Sequence, residues 1–164
     1  MILMKRGVVL LLGIFILVTF YFVVPMLLIR LNIIYNLPIY NNSLLRSFGF
    51  VIFLFGFSAT LYTTHQHLLT GRVTPVVIES PKKFILRGFY RYSRNPMYIA
   101  VLLTFLGIFM ILGHLLLIVY ILLAIITFQL VVIYKEEPVL KKKFGKEYEE
   151  YVKKVPRWFP NPFR

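Results

Sequence analysis

The chain has 164 residues, 59% of them hydrophobic, with a mean hydropathy of +0.79 and a formal charge of +13. Charged residues make up 15%, against about a quarter in a soluble domain, and the absence of Cys and Asp excludes disulfides, thiolate zinc sites and Asp-based chemistry. Several apolar runs exceed the ~18 residues that signal a membrane span, so the charge reads as the loop bias of a polytopic membrane protein and not as a nucleic-acid footprint.

Lys5 and Arg6 precede an apolar stretch from Gly7 to Ile29. It is longer than the ~7–15-residue core of a signal peptide and lacks a small-residue cleavage site, so a retained span over 7–29 is expected. Pro25 is placed to kink its far end. Residues 30–43, rich in Asn, Pro and Tyr, read as an interfacial loop. A second span is expected over 44–69, where Gly49, Gly56, Ser58, Ala59 and Thr60 are small enough for close helix packing in lipid.

Between Met97 and Tyr134 there is no charged residue for 38 positions. As one straight helix this run would be about 57 Å long, against a hydrocarbon core of about 30 Å. It must therefore fold back, and Gly113-His114 near its middle predicts a hairpin of spans 97–112 and 115–134. Seventeen of the 19 basic residues then fall on the side of the termini, with only Arg30 and Arg46 opposite. The positive-inside rule puts both termini and the loop 70–96 in the cytoplasm. The fold expected is all-α: one membrane domain, 1–164, of four transmembrane helices. The tail 136–160 follows as an amphipathic interfacial helix, with Leu140, Phe144, Tyr148, Tyr151, Val152 and Val155 at helical spacing.

Two stretches concentrate the chemistry. RGFYRYSRNPMY (residues 87–98) crowds arginines and tyrosines against the start of the third span, where Asn95 suits a helix cap and Pro96 the first helical position. Glu136, Glu137 and Pro138 stand at the inner mouth of the fourth span, and Pro138 calls for a bend or a restart. Adjacent glutamates point in different directions on a helix, so only one can easily serve any one partner. His65 and His67 are about 200° apart on a helix and make a poor metal pair, and His114 lies at the opposite end. No metal is expected. The hairpin instead brings aromatic rings, arginine, an amide and carboxylates together beside lipid.

The order G-x-Y…R-N-P-M-Y, a short apolar hairpin, E-E-P-x-L and F-G-x-E-Y-x-x-Y-x-x-x-V-P-R-W resembles the isoprenylcysteine carboxyl methyltransferase and phospholipid methyltransferase group over about residues 84–160. The resemblance implies transfer of a methyl group from S-adenosylmethionine to a lipid or lipidated acceptor held in the membrane. It implies a cofactor site of Phe84, Ile85, Tyr90, Arg94, Asn95, Pro96, Met97, Tyr98 and Glu136, with Glu137 as the proton acceptor if the substrate is an amine. NPMY and EEP look like the phospholipid branch and FGxEY like the isoprenylcysteine branch, so amine and carboxylate acceptors both stay open. The rival readings are a membrane sterol or lipid reductase using NADPH and a non-catalytic scaffold. Oligomeric state is not legible in the sequence.

Overall fold

A computed structural model of the chain describes residue 11, residues 14–69 (side chains to 66) and residues 88–159. The expectations placed on Phe84, Ile85, the His67 side chain, the start of the first span and the loop before Gly88 lie outside these residues. The described chain is helical, without a named strand: α1 (Ile14–Ile34), α2 (Ser43–Leu69), a 3₁₀ turn (Gly88–Arg91), α3 (Pro96–Leu112), α4 (Leu115–Phe144) and α5 (Lys146–Lys154). Three of these, Ile14–Ile34, Ser43–Gln66 and Leu115–Phe144, are long and apolar enough to cross a membrane, and Pro96–Leu112 is a shorter apolar helix.

Helices α2 and α3 run antiparallel in close contact, and glycine makes the closeness possible. A Cβ on Gly56 would stand 2.6 Å from the Thr104 nitrogen, and one on Gly107 would stand 2.5 Å from that of Phe53. These backbones leave no room for a methyl group, as expected for small residues at a helix crossing in lipid. The buried hydroxyls of Thr60, Thr63 and Thr104 donate to carbonyls one turn back, so they satisfy themselves within their own helices. Tyr21 of α1 lies against Phe57 and Phe105, and Tyr120 of α4 donates to the Phe20 carbonyl.

The first helix continues past Ile29, where a loop was expected, to Ile34. Arg30 is exposed and its long side chain can reach out of the apolar layer. Asn32 is fully buried; its amide donates to the Leu37 carbonyl and its oxygen accepts from the Leu116 backbone N–H. That side chain ties the end of α1 to the tip of the α3–α4 hairpin. The tip itself turns at Gly113, in the left-handed region (φ 75°), with its carbonyl accepting from the Tyr40 N–H.

Pro25 and Pro138 are accommodated in the same way. Each follows a π-turn, Thr19–Val23 and Val132–Glu136, closed by the i→i−5 bonds Val24 N–H to Thr19 O and Glu137 N–H to Val132 O. A proline ring collides with the carbonyl four residues back; the wider turn moves that carbonyl aside. The bend or restart expected at Pro138 is thus a local widening, and α4 runs on to Phe144.

Beyond it the tail differs from the single helix expected over 136–160. Gly145 (φ 48°) divides it into the last turns of α4 and the separate α5. Tyr148, Tyr151 and Val155 are buried as one cluster, with Leu140 and Phe144 packed against them, while Val152 is 37% exposed.

Candidate functional site

The start of α3, the π-turn of α4 and the chain after α5 converge. Gly88 (φ 61°) opens the 3₁₀ turn hard against α2: a Cβ there would stand 2.9 Å from the Tyr62 hydroxyl. The turn delivers Ser93, Arg94 and Asn95 to the head of α3. Asn95 is the N-cap residue, as expected, but its side chain makes no cap hydrogen bond. Its amide instead donates to the Arg157 carbonyl at 3.0 Å, and the Ser93 hydroxyl donates to the same oxygen at 3.2 Å. Ser93 Oγ in turn accepts from the Asn95 backbone N–H, and the Arg94 N–H donates to the Pro156 carbonyl. A tertiary partner has taken the amide that the local sequence offered to the helix.

The two glutamates divide as their adjacency requires. Glu136 is buried and accepts a 2.7 Å hydrogen bond from the Tyr98 hydroxyl. Glu137 accepts from Arg94 Nη1 at 2.9 Å, from Arg157 Nε at 2.7 Å and from Arg157 Nη2 at 3.0 Å. Arg157 thus grips one carboxylate with two donors, the geometry for which a guanidinium is suited. Hydrogen bonding to Glu137 pushes the Arg157 pKa up, against a smaller effect of burial. Arg94 Nε is buried and has no hydrogen-bond partner among the described residues.

Aromatic rings complete the site. Tyr98 packs on Phe128 (4.6 Å between centroids) and takes the edge of Trp158 at 6.4 Å. Trp158 Nε1 donates to Gln129 at 2.7 Å, and the Tyr151 hydroxyl donates to the Tyr90 carbonyl at 2.7 Å. Met97 is buried in one cluster with Tyr98, Phe128 and Trp158, and Tyr90 and Pro96 are buried as well. Of the expected site residues, Tyr90, Arg94, Asn95, Pro96, Met97, Tyr98, Glu136 and Glu137 therefore gather at one place. His65 is exposed on α2 and His114 is buried at the hairpin tip; no group of three metal-ligating side chains occurs among the described residues.

Sequence reasoning left Ser93, Gln129, Arg157 and Trp158 out of the site. Three of them carried a signal, in two places. Gln129 is the one amide in the fourth apolar run, and Arg157-Trp158 is part of the quoted VPRW string. Neither indicates its partner, because Gln129 and Trp158 meet across 29 residues and Ser93 and Arg157 across 64.

The family model described as phospholipid methyltransferase matches residues 44–147, which span α2, the turn, α3, α4 and the opening of α5. No curated protein and no solved structure matches the chain.

Proposed function

The chain belongs to the phospholipid methyltransferase family, which makes it a membrane methyltransferase, and from that premise we propose that it uses S-adenosylmethionine to methylate the amine of a membrane lipid. The observation that carries this reading is the pairing of Tyr98 with Glu136 and of Arg94 with Glu137, with Trp158 against the Tyr98 ring, from segments far apart in the chain.

The residues fit the cofactor. Glu136 and the Tyr98 hydroxyl suit ribose hydroxyls or an ammonium group. The rings of Tyr98, Phe128 and Trp158 suit a flat base or a sulfonium cation, and the buried, unpartnered Arg94 Nε is a donor for a carboxylate. The remaining cofactor residues are Tyr90, Asn95, Pro96 and Met97, with Phe84 and Ile85 assigned by family resemblance. When bound, the cofactor supplies an electrophilic methyl on a sulfur leaving group. The protein's part is to orient donor and acceptor in line and exclude water; the Arg157–Trp158 strap closes over the aromatic floor for that purpose.

Glu137, expected as a proton acceptor, has both oxygens engaged by guanidinium donors. We assign it to holding the strap. The acceptor amine then enters in its neutral form, its proton left to water at the interface.

In this reading the single membrane domain crosses four times, α3 being the short crossing, and the site opens at the cytoplasmic surface with the lysines of α5 in the headgroup layer, so that the acceptor reaches it sideways from the bilayer; the 17-to-2 bias of basic residues supports it.

Calorimetry with S-adenosylmethionine and its demethylated product tests the site. Tyr98→Ala and Glu136→Ala should each weaken binding ten- to a hundredfold, corresponding to about 1.5–3 kcal/mol for a hydrogen bond to a charged group. His65→Ala should bind as the parent does. Unchanged affinity in both site variants would refute the assignment. Labelled cofactor offered with an aminophospholipid, a farnesylated cysteine analogue and small soluble amines should label the aminophospholipid. Its rate should rise with pH as the amine deprotonates, whereas a carboxylate acceptor would be flat above about pH 5.

A further inference from the structure

On the side of the 3₁₀ turn that faces α2 lies a cavity of about 480 Å³ that takes no part in the site above. Its lining is Phe55, Ser58, Ala59 and Tyr62 of α2, with Gly88, Phe89, Arg91 and Tyr92 of the turn. Ser58 and Ala59 are small and leave the hollow. Phe55 and Tyr62 stand about 10 Å apart along the helix and wall it. Phe89 meets Tyr62 edge-on at 5.3 Å, which fixes the turn's side of the opening. The hollow therefore extends from the apolar middle of α2 to its polar end, the depth range over which a lipid passes from acyl chain to headgroup.

Charge decides what fits. Arg91 is exposed and makes no hydrogen bond or ion pair among the described residues, unlike Arg94 three positions on, which is held by Glu137. Among the described residues the lining contains a guanidinium and no carboxylate. A lipid phosphate finds a partner in Arg91, whereas the ammonium group of a zwitterionic headgroup finds none. We propose that this cavity is a seat for an anionic phospholipid that carries no amine, with its acyl chain along Phe55 and its phosphate on Arg91. The occupant is thus a lipid other than the acceptor, held on the α2 face of the turn that leads towards α3, the helix that carries Tyr98. The proposal stands independently of the methyl-transfer reading.

The test is native mass spectrometry of the full chain in a neutral detergent, titrated separately with dioleoylphosphatidylglycerol and dioleoylphosphatidylcholine. The parent should retain phosphatidylglycerol at least fivefold better. Arg91→Gln should abolish that preference, Arg91→Lys should keep part of it, and Ser58→Phe should reduce retention by filling the hollow. Lys153→Gln, an exposed charge on α5, should leave the preference intact. Thermal unfolding of each variant without added lipid establishes that it is folded. Equal retention of the two lipids by the parent, or an unchanged preference in folded Arg91→Gln, would overturn the seat. So would a lipid-free dimer of the parent that Ser58→Phe dissociates, since a second copy would then be the occupant. Cofactor binding measured on the same samples reports on the catalytic reading alone.

Discussion

Tyr98 and Glu136 share a 2.7 Å hydrogen bond between two buried groups, and the pair joins the first turn of α3 to the π-turn of α4. Removing the hydroxyl withdraws a donor from a buried carboxylate, which costs more than losing an exposed pair because solvent cannot replace it. Tyr98→Phe should therefore destabilise the protein by about 1.5–3 kcal/mol, read as a lowered unfolding midpoint in detergent. The ring itself remains against Phe128, so no cavity forms. A midpoint unchanged within error would mean that Glu136 is as well served without the phenol. The neighbouring Glu137 obeys a different logic: its partners are guanidinium groups, and one of them, Arg157, belongs to a segment that no local pattern ties to α4.

Among the helices, α2 and α3 meet through glycine and the tail docks through tyrosine. Gly107→Ala would put its methyl 2.5 Å from the Phe53 backbone nitrogen, and backbone cannot rotate away as a side chain can. Overpacking of this kind costs about 1–3 kcal/mol. Thermal unfolding should show that loss for Gly107→Ala and a much smaller one for Ile126→Ala, which is 57% exposed on α4. The docking of α5 should respond to alkali. Burial pushes the phenols of Tyr148 and Tyr151 above their usual value of 10.0, with Arg94 opposing the rise in both and Glu137 adding to it at Tyr148. A raised folded pKa means that the folded state holds its proton where the unfolded chain has lost it. Their contribution is thus full below about pH 10 and is lost as pH rises through the folded values. Proteolysis at Lys153 and Lys154 should stay slow and constant from pH 7 to 9 and accelerate above pH 10. Acceleration already between pH 7 and 9 would point to some other titrating contact.

For the molecule in the bilayer, the arrangement of charge predicts a definite orientation. Cysteines introduced singly are unambiguous reporters because the chain has none of its own. Asn42→Cys should react with an impermeant reagent applied to intact cells, while Lys82→Cys and Lys146→Cys should react only after the membrane is opened. The reverse pattern would invert the protein and move the proposed site to the other face. A reactive Lys146→Cys beside a reactive Asn42→Cys would mean that the hairpin α3–α4 does not cross as a pair.

The helical class, the position of α2, the hairpin turn at Gly113 and the gathering of RNPMY with EE follow from apolar run length, charge and the length of the hydrocarbon layer, all of which are written locally along the chain. The different duties of Glu136 and Glu137 likewise follow from helical geometry. What the folded molecule alone decided is how polar groups are shared between distant segments. Asn32 carries α1 beyond its expected end because its partners include Leu116. Asn95 forgoes the cap for the Arg157 carbonyl, and α4 passes Pro138 through a π-turn. Each outcome turns on which donor reaches which acceptor in a setting where water cannot serve instead, and such choices depend on three-dimensional neighbours that residue spacing does not encode.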